Sequence, residues 1–145
     1  MSRVLSDFVA LEINAPVEKC YAAMIDFESY PKWQKAICES NILEKTSFGL
    51  TVEFIADVII KKFRYVLAYR FSREKEFAFA WELVEGDIEN VTGDFTLKTL
   101  KNPAKCIATY RLDLIPGFWV PKTLVYLVKK NVMMGVLKDL KKWVE

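Results

Sequence analysis

Pro121-Lys-Thr-Leu-Val-Tyr-Leu-Val-Lys-Lys-Asn-Val-Met-Met-Gly-Val-Leu-Lys-Asp-Leu-Lys-Lys-Trp143 decides how the rest of the chain is read. Leu124, Val125, Val128, Val132, Val136, Leu140 and Trp143 recur at three- and four-residue steps, which makes one apolar stripe on a helix. Pro121 suits the first turn, where its missing N–H has no helical partner to lose. Lys138, Lys141 and Lys142 lie near the end, where positive charge meets the negative pole of the helix dipole. At 1.5 Å per residue the helix is roughly 30–35 Å long. A helix of that length needs a broad apolar surface to lie on, and the preceding chain supplies one as a run of antiparallel strands. The expected architecture is a curved sheet gripping this helix, with an apolar cavity between them.

Working back from the helix, the totals set limits. The chain has 145 residues, enough for a single domain, 1–145, with a sizeable core. Hydrophobic residues make up 52% and aromatics 14%, and the net charge is +2. That charge is too small to suggest DNA binding. No apolar run approaches the twenty residues of a membrane span, and the first residues lack a secretory apolar segment. Cys20, Cys38 and Cys106 are odd in number and far apart, which fits reduced thiols in a cytoplasmic protein. Asn90-Val-Thr92 matches a glycosylation sequon, read as chance in that setting. Histidine is absent, which excludes histidine-assisted nucleophiles and histidine-bearing metal sites. No metal, no cofactor and no catalytic residue is expected.

In chain order, Val4–Ile13 reads as a first strand. Asn14-Ala-Pro-Val-Glu18 opens a helix, with Asn14 or a neighbour as cap and Pro16 in its first turn. Val17, Cys20, Tyr21 and Met24 form its buried face. Asp26-Phe-Glu-Ser-Tyr-Pro-Lys-Trp33 breaks it, and Pro31 opens a second short helix capped by Asp26 or Ser29. From Ile37 the period becomes two, with strands near Ile37–Lys45 and Leu50–Val58. The next strand puts Phe63, Tyr65, Leu67, Tyr69 and Phe71 on one face, with Arg64 and Arg70 opposite. Phe77, Phe79, Trp81 and Leu83 follow after a turn. Val91, Gly93, Phe95 and Leu97 come next, then Cys106, Ala108, Tyr110, Leu112 and Leu114. Pro116-Gly117 ends the last strand. The order strand, two helices, six strands, helix is an α+β arrangement with about seven antiparallel strands covered on one face.

That order, with Ile13-Asn-Ala-Pro-Val-Glu18, Tyr21, Asp26-x-x-x-Tyr30-Pro31-x-Trp33, Gly93-Asp-Phe95 and Pro116-Gly117, resembles the START / polyketide-cyclase-like superfamily, the helix-grip fold. It is most similar to the small bacterial polyketide cyclase/dehydrase and lipid transport group, over nearly the whole chain. The resemblance implies a deep apolar cavity for a lipid, isoprenoid, quinone or polyketide-like ligand. Its motifs cap and pack, so they mark fold rather than activity.

The expected lining is Trp33, Phe54, Tyr65, Leu67, Tyr69, Phe79, Trp81, Phe95 and Tyr110 from helix and sheet, with Val128, Asn131 and Val132 from the last helix. Any one of these aromatics is more often plain core. Several Tyr and Trp on one concave face argue for a partly wet or ligand-filled space, because a buried polar tip wants a partner. Each buried methylene contributes about 0.8 kcal/mol, so roughly ten supply ~8 kcal/mol gross before the ordering cost of binding. Uptake of a lipid-sized molecule therefore needs no catalytic group. Gly135 is read as a site of close sheet approach, or as a bend that lets the helix open. Ile59 and Ile60 are read as a hairpin tip or as a mouth that touches a membrane. The lysines of the last helix suit solvent and dipole, with a membrane surface or ribosomal RNA as the functional alternative.

The leading expectation is a carrier of a small hydrophobic ligand. The alternatives are a cyclase or dehydratase, for which Arg64, Arg70 and Arg111 point the wrong way, and a ribosome- or protein-interaction module. An unperturbed tyrosine, with pKa near 10, is a poor base at neutral pH.

Overall fold

The computed structural model describes residues 7–58 and 61–145. Its elements are β1 (Asp7–Ile13), α1 (Val17–Ile25), a single 3₁₀ turn (Phe27–Ser29), α2 (Tyr30–Trp33), β2 (Ile37–Lys45), β3 (Gly49–Asp57), β4 (Lys62–Phe71), β5 (Ala78–Gly86), β6 (Asn90–Thr99), β7 (Cys106–Ile115) and α3 (Lys122–Val144). The seven strands form one antiparallel sheet in the order β1-β7-β6-β5-β4-β3-β2. This is the expected α+β helix-grip arrangement. Residues 4–6 of the expected first strand, and Ile59 and Ile60, lie outside the described residues.

Curvature has local causes. The β2–β3 register shifts between Ile37 and Glu39 and again between Ile42 and Glu44, and the β4–β5 register shifts between Val66 and Leu67. Each irregularity bends its strand and adds twist, so the sheet wraps instead of lying flat. Gly93 of β6 allows another close fit. A Cβ there would meet the Arg111 carbonyl at 2.3 Å and the Trp81 ring at 2.4 Å. Only a residue without a side chain lets the Trp81 indole lie across β6.

The first helices start differently from the expectation. Pro16, extended, is the residue before α1, and no side chain caps that helix. Neither Asp26 nor Ser29 caps the following turns with its side chain. The Asn14 backbone N–H instead donates to Glu145 Oε2 at 2.8 Å, tying the entry of α1 to the end of α3. Pro31 does sit in the first turn of α2.

The stripe on α3 needs the larger correction. Its fully packed residues are Met133, Leu137, Leu140 and Val144. Trp143, expected in the stripe, is 52% exposed. Val125, Val132 and Val136 are only partly buried because they face a hollow instead of the sheet. The apolar arc of α3 thus serves two surfaces, a solid one and an empty one.

Candidate functional site

One end of the space under the sheet is filled by the chain's own rings. Phe27 lies 4.4 Å from Tyr69 and 5.8 Å from Phe79, centroid to centroid, and Phe79 lies 5.4 Å from Phe95. Tyr21 closes that end against Phe77 at 5.4 Å. The other end, beneath the first two-thirds of α3, stays open as a cavity of about 390 Å³. Strands β3 to β7 form its floor, and Val125, Val128, Val132 and Val136 form its roof.

Nine of the twelve expected lining residues border this cavity: Phe54, Tyr65, Leu67, Tyr69, Trp81, Tyr110, Val128, Asn131 and Val132. Phe79 and Phe95 do not, because they belong to the filled end and are almost fully buried there. Trp33 does not either. It packs edge-on against Tyr30 at 5.4 Å, and its indole N–H is buried without a partner among the described residues. Asn131 stands at the solvent-facing rim. Gly135 borders the cavity, and a Cβ placed on it would meet nothing within 4 Å. Close sheet approach therefore does not explain that glycine.

Tyr30, Gln34, Ile37, Phe63, Leu114 and Phe118 also border the cavity and were not anticipated. Phe63 was legible from the alternation of β4. Gln34 carried no signal, since its place depends on where α2 ends. Its backbone N–H donates to the Tyr30 carbonyl at 2.7 Å, closing α2 and turning the side chain inward. The residue is 95% buried in consequence, and its side-chain nitrogen has no partner among the described residues. Next to it, the Lys35 backbone N–H donates to Asp139 Oδ2 at 2.9 Å, joining this linker to α3.

Four phenols surround the inner part of the cavity. Tyr30 donates to the Met24 carbonyl at 2.6 Å. Tyr65, Tyr69 and Tyr110 have no hydrogen-bond partner among the described residues. Burial pushes all four above the ordinary tyrosine value, and mutual repulsion between neighbouring phenolates adds to this for Tyr30, Tyr69 and Tyr110. Each phenol is thus protonated throughout the physiological range. It can donate a hydrogen bond, and it cannot take a proton.

The arginines are turned to the opposite face. Arg64 is paired with Glu53 at 2.7 Å and Glu85 at 3.0 Å, and Arg111 with Asp94. Cys20 and Cys106 are free thiols whose sulfurs touch at 3.5 Å in the core, away from the cavity. Burial, with Cys106 beside it, pushes the Cys20 thiol up to about 12, so it is chemically quiet. Among the described residues no helix is long and apolar enough to cross a membrane.

The fold is shared with solved structures. A START superfamily protein from Mycobacterium smegmatis superposes with a TM-score of 0.86 at 20% identity, covering 95% of each chain. The Zhui aromatase/cyclase from Streptomyces sp. R1128 gives 0.81 at 13% identity, over 97% of this chain and 93% of the other. A STAR-related lipid transfer protein from Xanthomonas axonopodis gives 0.75 at 15% identity, over 94% and 84%. At such identities these similarities speak for the fold alone. No curated protein sequence matches the chain. The family model for polyketide cyclase / dehydrase and lipid transport matches residues 13–141, from the end of β1 to the last turns of α3, and the chain belongs to that family.

Proposed function

We propose that the protein binds and carries a small hydrophobic ligand of lipid, isoprenoid, quinone or polyketide-like type, held in the cavity under α3. One observation carries this reading. An apolar hollow is bordered by three phenol hydroxyls and one buried amide that have no partner among the described residues. The unpartnered buried Gln34 amide costs about 1–3 kcal/mol, a cost that a ligand with an oxygen acceptor at its inner end would remove, and the phenol hydroxyls offer that ligand further donors. Apolar burial drives uptake, and Tyr65, Tyr69 and Tyr110 orient the polar end.

The volume bounds the cargo. At the roughly 30 Å³ that one water occupies, the cavity of about 390 Å³ holds about a dozen non-hydrogen atoms. A longer chain would have to extend past the rim of the cavity. The protonated phenols favour binding over turnover. A cyclase or dehydratase needs a group that removes a proton; none of the four phenols does so at neutral pH, and Asp139, a carboxylate bordering the cavity, is engaged by the Lys35 backbone N–H at 2.9 Å.

Native mass spectrometry of gently purified protein, with Nile red titration of the delipidated form, tests the proposal. The expected result is a retained hydrophobic molecule, and saturable Nile red binding that the extracted molecule displaces. Failure of the delipidated protein to take up any apolar probe would overturn it.

A further inference from the structure

Beside the cavity, where Phe118 joins its lining, lie exposed apolar side chains. Trp119 is 87% exposed, Tyr126 52%, Leu127 51% and Phe118 40%. Soluble proteins rarely leave so many large apolar groups together. These residues are close in sequence. Phe118 and Trp119 lead directly into α3, and Tyr126 and Leu127 lie on its first outward turns. Phe118 also stacks on Phe63 of β4, with a centroid distance of 6.2 Å.

The charge around the patch is mainly positive. Lys61 lies 5.1 Å from the Phe118 ring centroid and 5.3 Å from that of Phe63. Lys122 and Lys130 stand one helical turn to either side of Tyr126, both exposed. From Leu114 to Lys138 the sequence has no acidic residue. Glu89, beside Gly117, is the acidic neighbour of this loop. Lys129 is turned the other way, toward Asp113 at 3.9 Å.

We propose that this patch docks on an anionic lipid surface, with Trp119 and its apolar neighbours in the headgroup region and Lys61, Lys122 and Lys130 against the lipid charge. Tryptophan and tyrosine beside lysine are the residue types that settle at such a boundary. A second copy of the chain is a poor occupant, because pairing this face with itself would bring like charges together. Phe118 belongs to both the patch and the cavity lining, so docking sets that edge of the cavity against the membrane. The proposal goes beyond the carrier reading and stands without it, since the patch is external to the cavity.

Flotation with vesicles of phosphatidylcholine, with and without phosphatidylserine, tests it on the full chain. Partition is expected only with phosphatidylserine, and it should weaken as salt is raised. Trp119→Ala should lower the partition coefficient roughly tenfold. Lys122→Ala combined with Lys130→Ala should lower it about tenfold or more. All these side chains are exposed, so melting temperatures should stay at the wild-type value. Absence of partition onto phosphatidylserine vesicles at low salt would overturn the proposal. So would unchanged partition of both variants, or a stable dimer in solution that Trp119→Ala dissociates. Nile red titration of the same preparations without vesicles reports on the cavity separately, so either idea can fail alone.

Discussion

Gly135 gives the most direct access to the cavity. It lies in the interior of α3, and a Cβ added there meets nothing within 4 Å. Gly135→Ala should therefore collect the ordinary helix-interior gain, about 0.8–1.0 kcal/mol. With an unfolding entropy of about 2.1 cal/mol/K per residue, the 145-residue chain should melt about 3 °C higher. Larger side chains should separate stability from capacity. Leu adds four heavy atoms, about 120 Å³ at roughly 30 Å³ each, and Phe adds seven in a more compact ring. Set against about 390 Å³, Gly135→Leu removes about a third of the cavity and Gly135→Phe somewhat more. The assay pairs thermal melts with Nile red titration and native mass spectrometry. Gly135→Ala should bind nearly as wild type, Gly135→Leu weakly, and Gly135→Phe not at all, with all three folded. A fall in melting temperature for Gly135→Ala would mean the helix is packed there after all. Full ligand retention by Gly135→Phe would place the ligand elsewhere.

Three further outcomes are expected. Tyr65→Phe, Tyr69→Phe and Tyr110→Phe should each weaken ligand affinity by about two- to tenfold without unfolding the protein, as measured by probe displacement; the figure is that of one neutral hydrogen bond. The raised phenols also predict alkaline sensitivity. Their folded values lie above the unfolded value near 10, so their stabilisation is complete below about pH 10 and is lost as pH rises past it. Denaturant melts above that pH should show the slope of Tyr69→Phe shallower than wild type by up to ~1.4 kcal/mol per pH unit. Finally, Gly93→Ala should cost about 1–3 kcal/mol, since its methyl group would press on the Arg111 carbonyl and the Trp81 ring; a chemical denaturation midpoint equal to wild type would refute that.

Much of the fold was legible because alternation along β3 to β7 is nearly unbroken and each strand shows one apolar face. The floor of the cavity was legible for the same reason, since Phe54, Tyr65, Leu67, Tyr69 and Trp81 had to face inward together. Which part of that face is hollow was not. Tyr69 and Phe79 face the same interior, yet Phe27 fills the space beside both only because the turn after α1 drops it there. The roof shows the same limit. Val132 and Met133 are equally apolar, and periodicity cannot tell a residue over a void from one against a wall. Gln34 depended on the last turn of α2, a boundary that a four-residue helix leaves no pattern to mark.

The fastening of α3 is lopsided. Its far end is pinned by Leu137, Leu140 and Val144, by Lys35 N–H to Asp139, and by Asn14 N–H to Glu145. Its near half roofs the cavity, with Val128 buried and Lys129 3.9 Å from Asp113 as its ties to the body. Mechanically this is a cantilever, clamped at one support and loaded along its span. Deflection of such a beam grows toward the free tip, so widening the entrance is cheapest at Lys122 to Leu127. In the proposed carrier, cargo would then pass without disturbing the seated half of the rod.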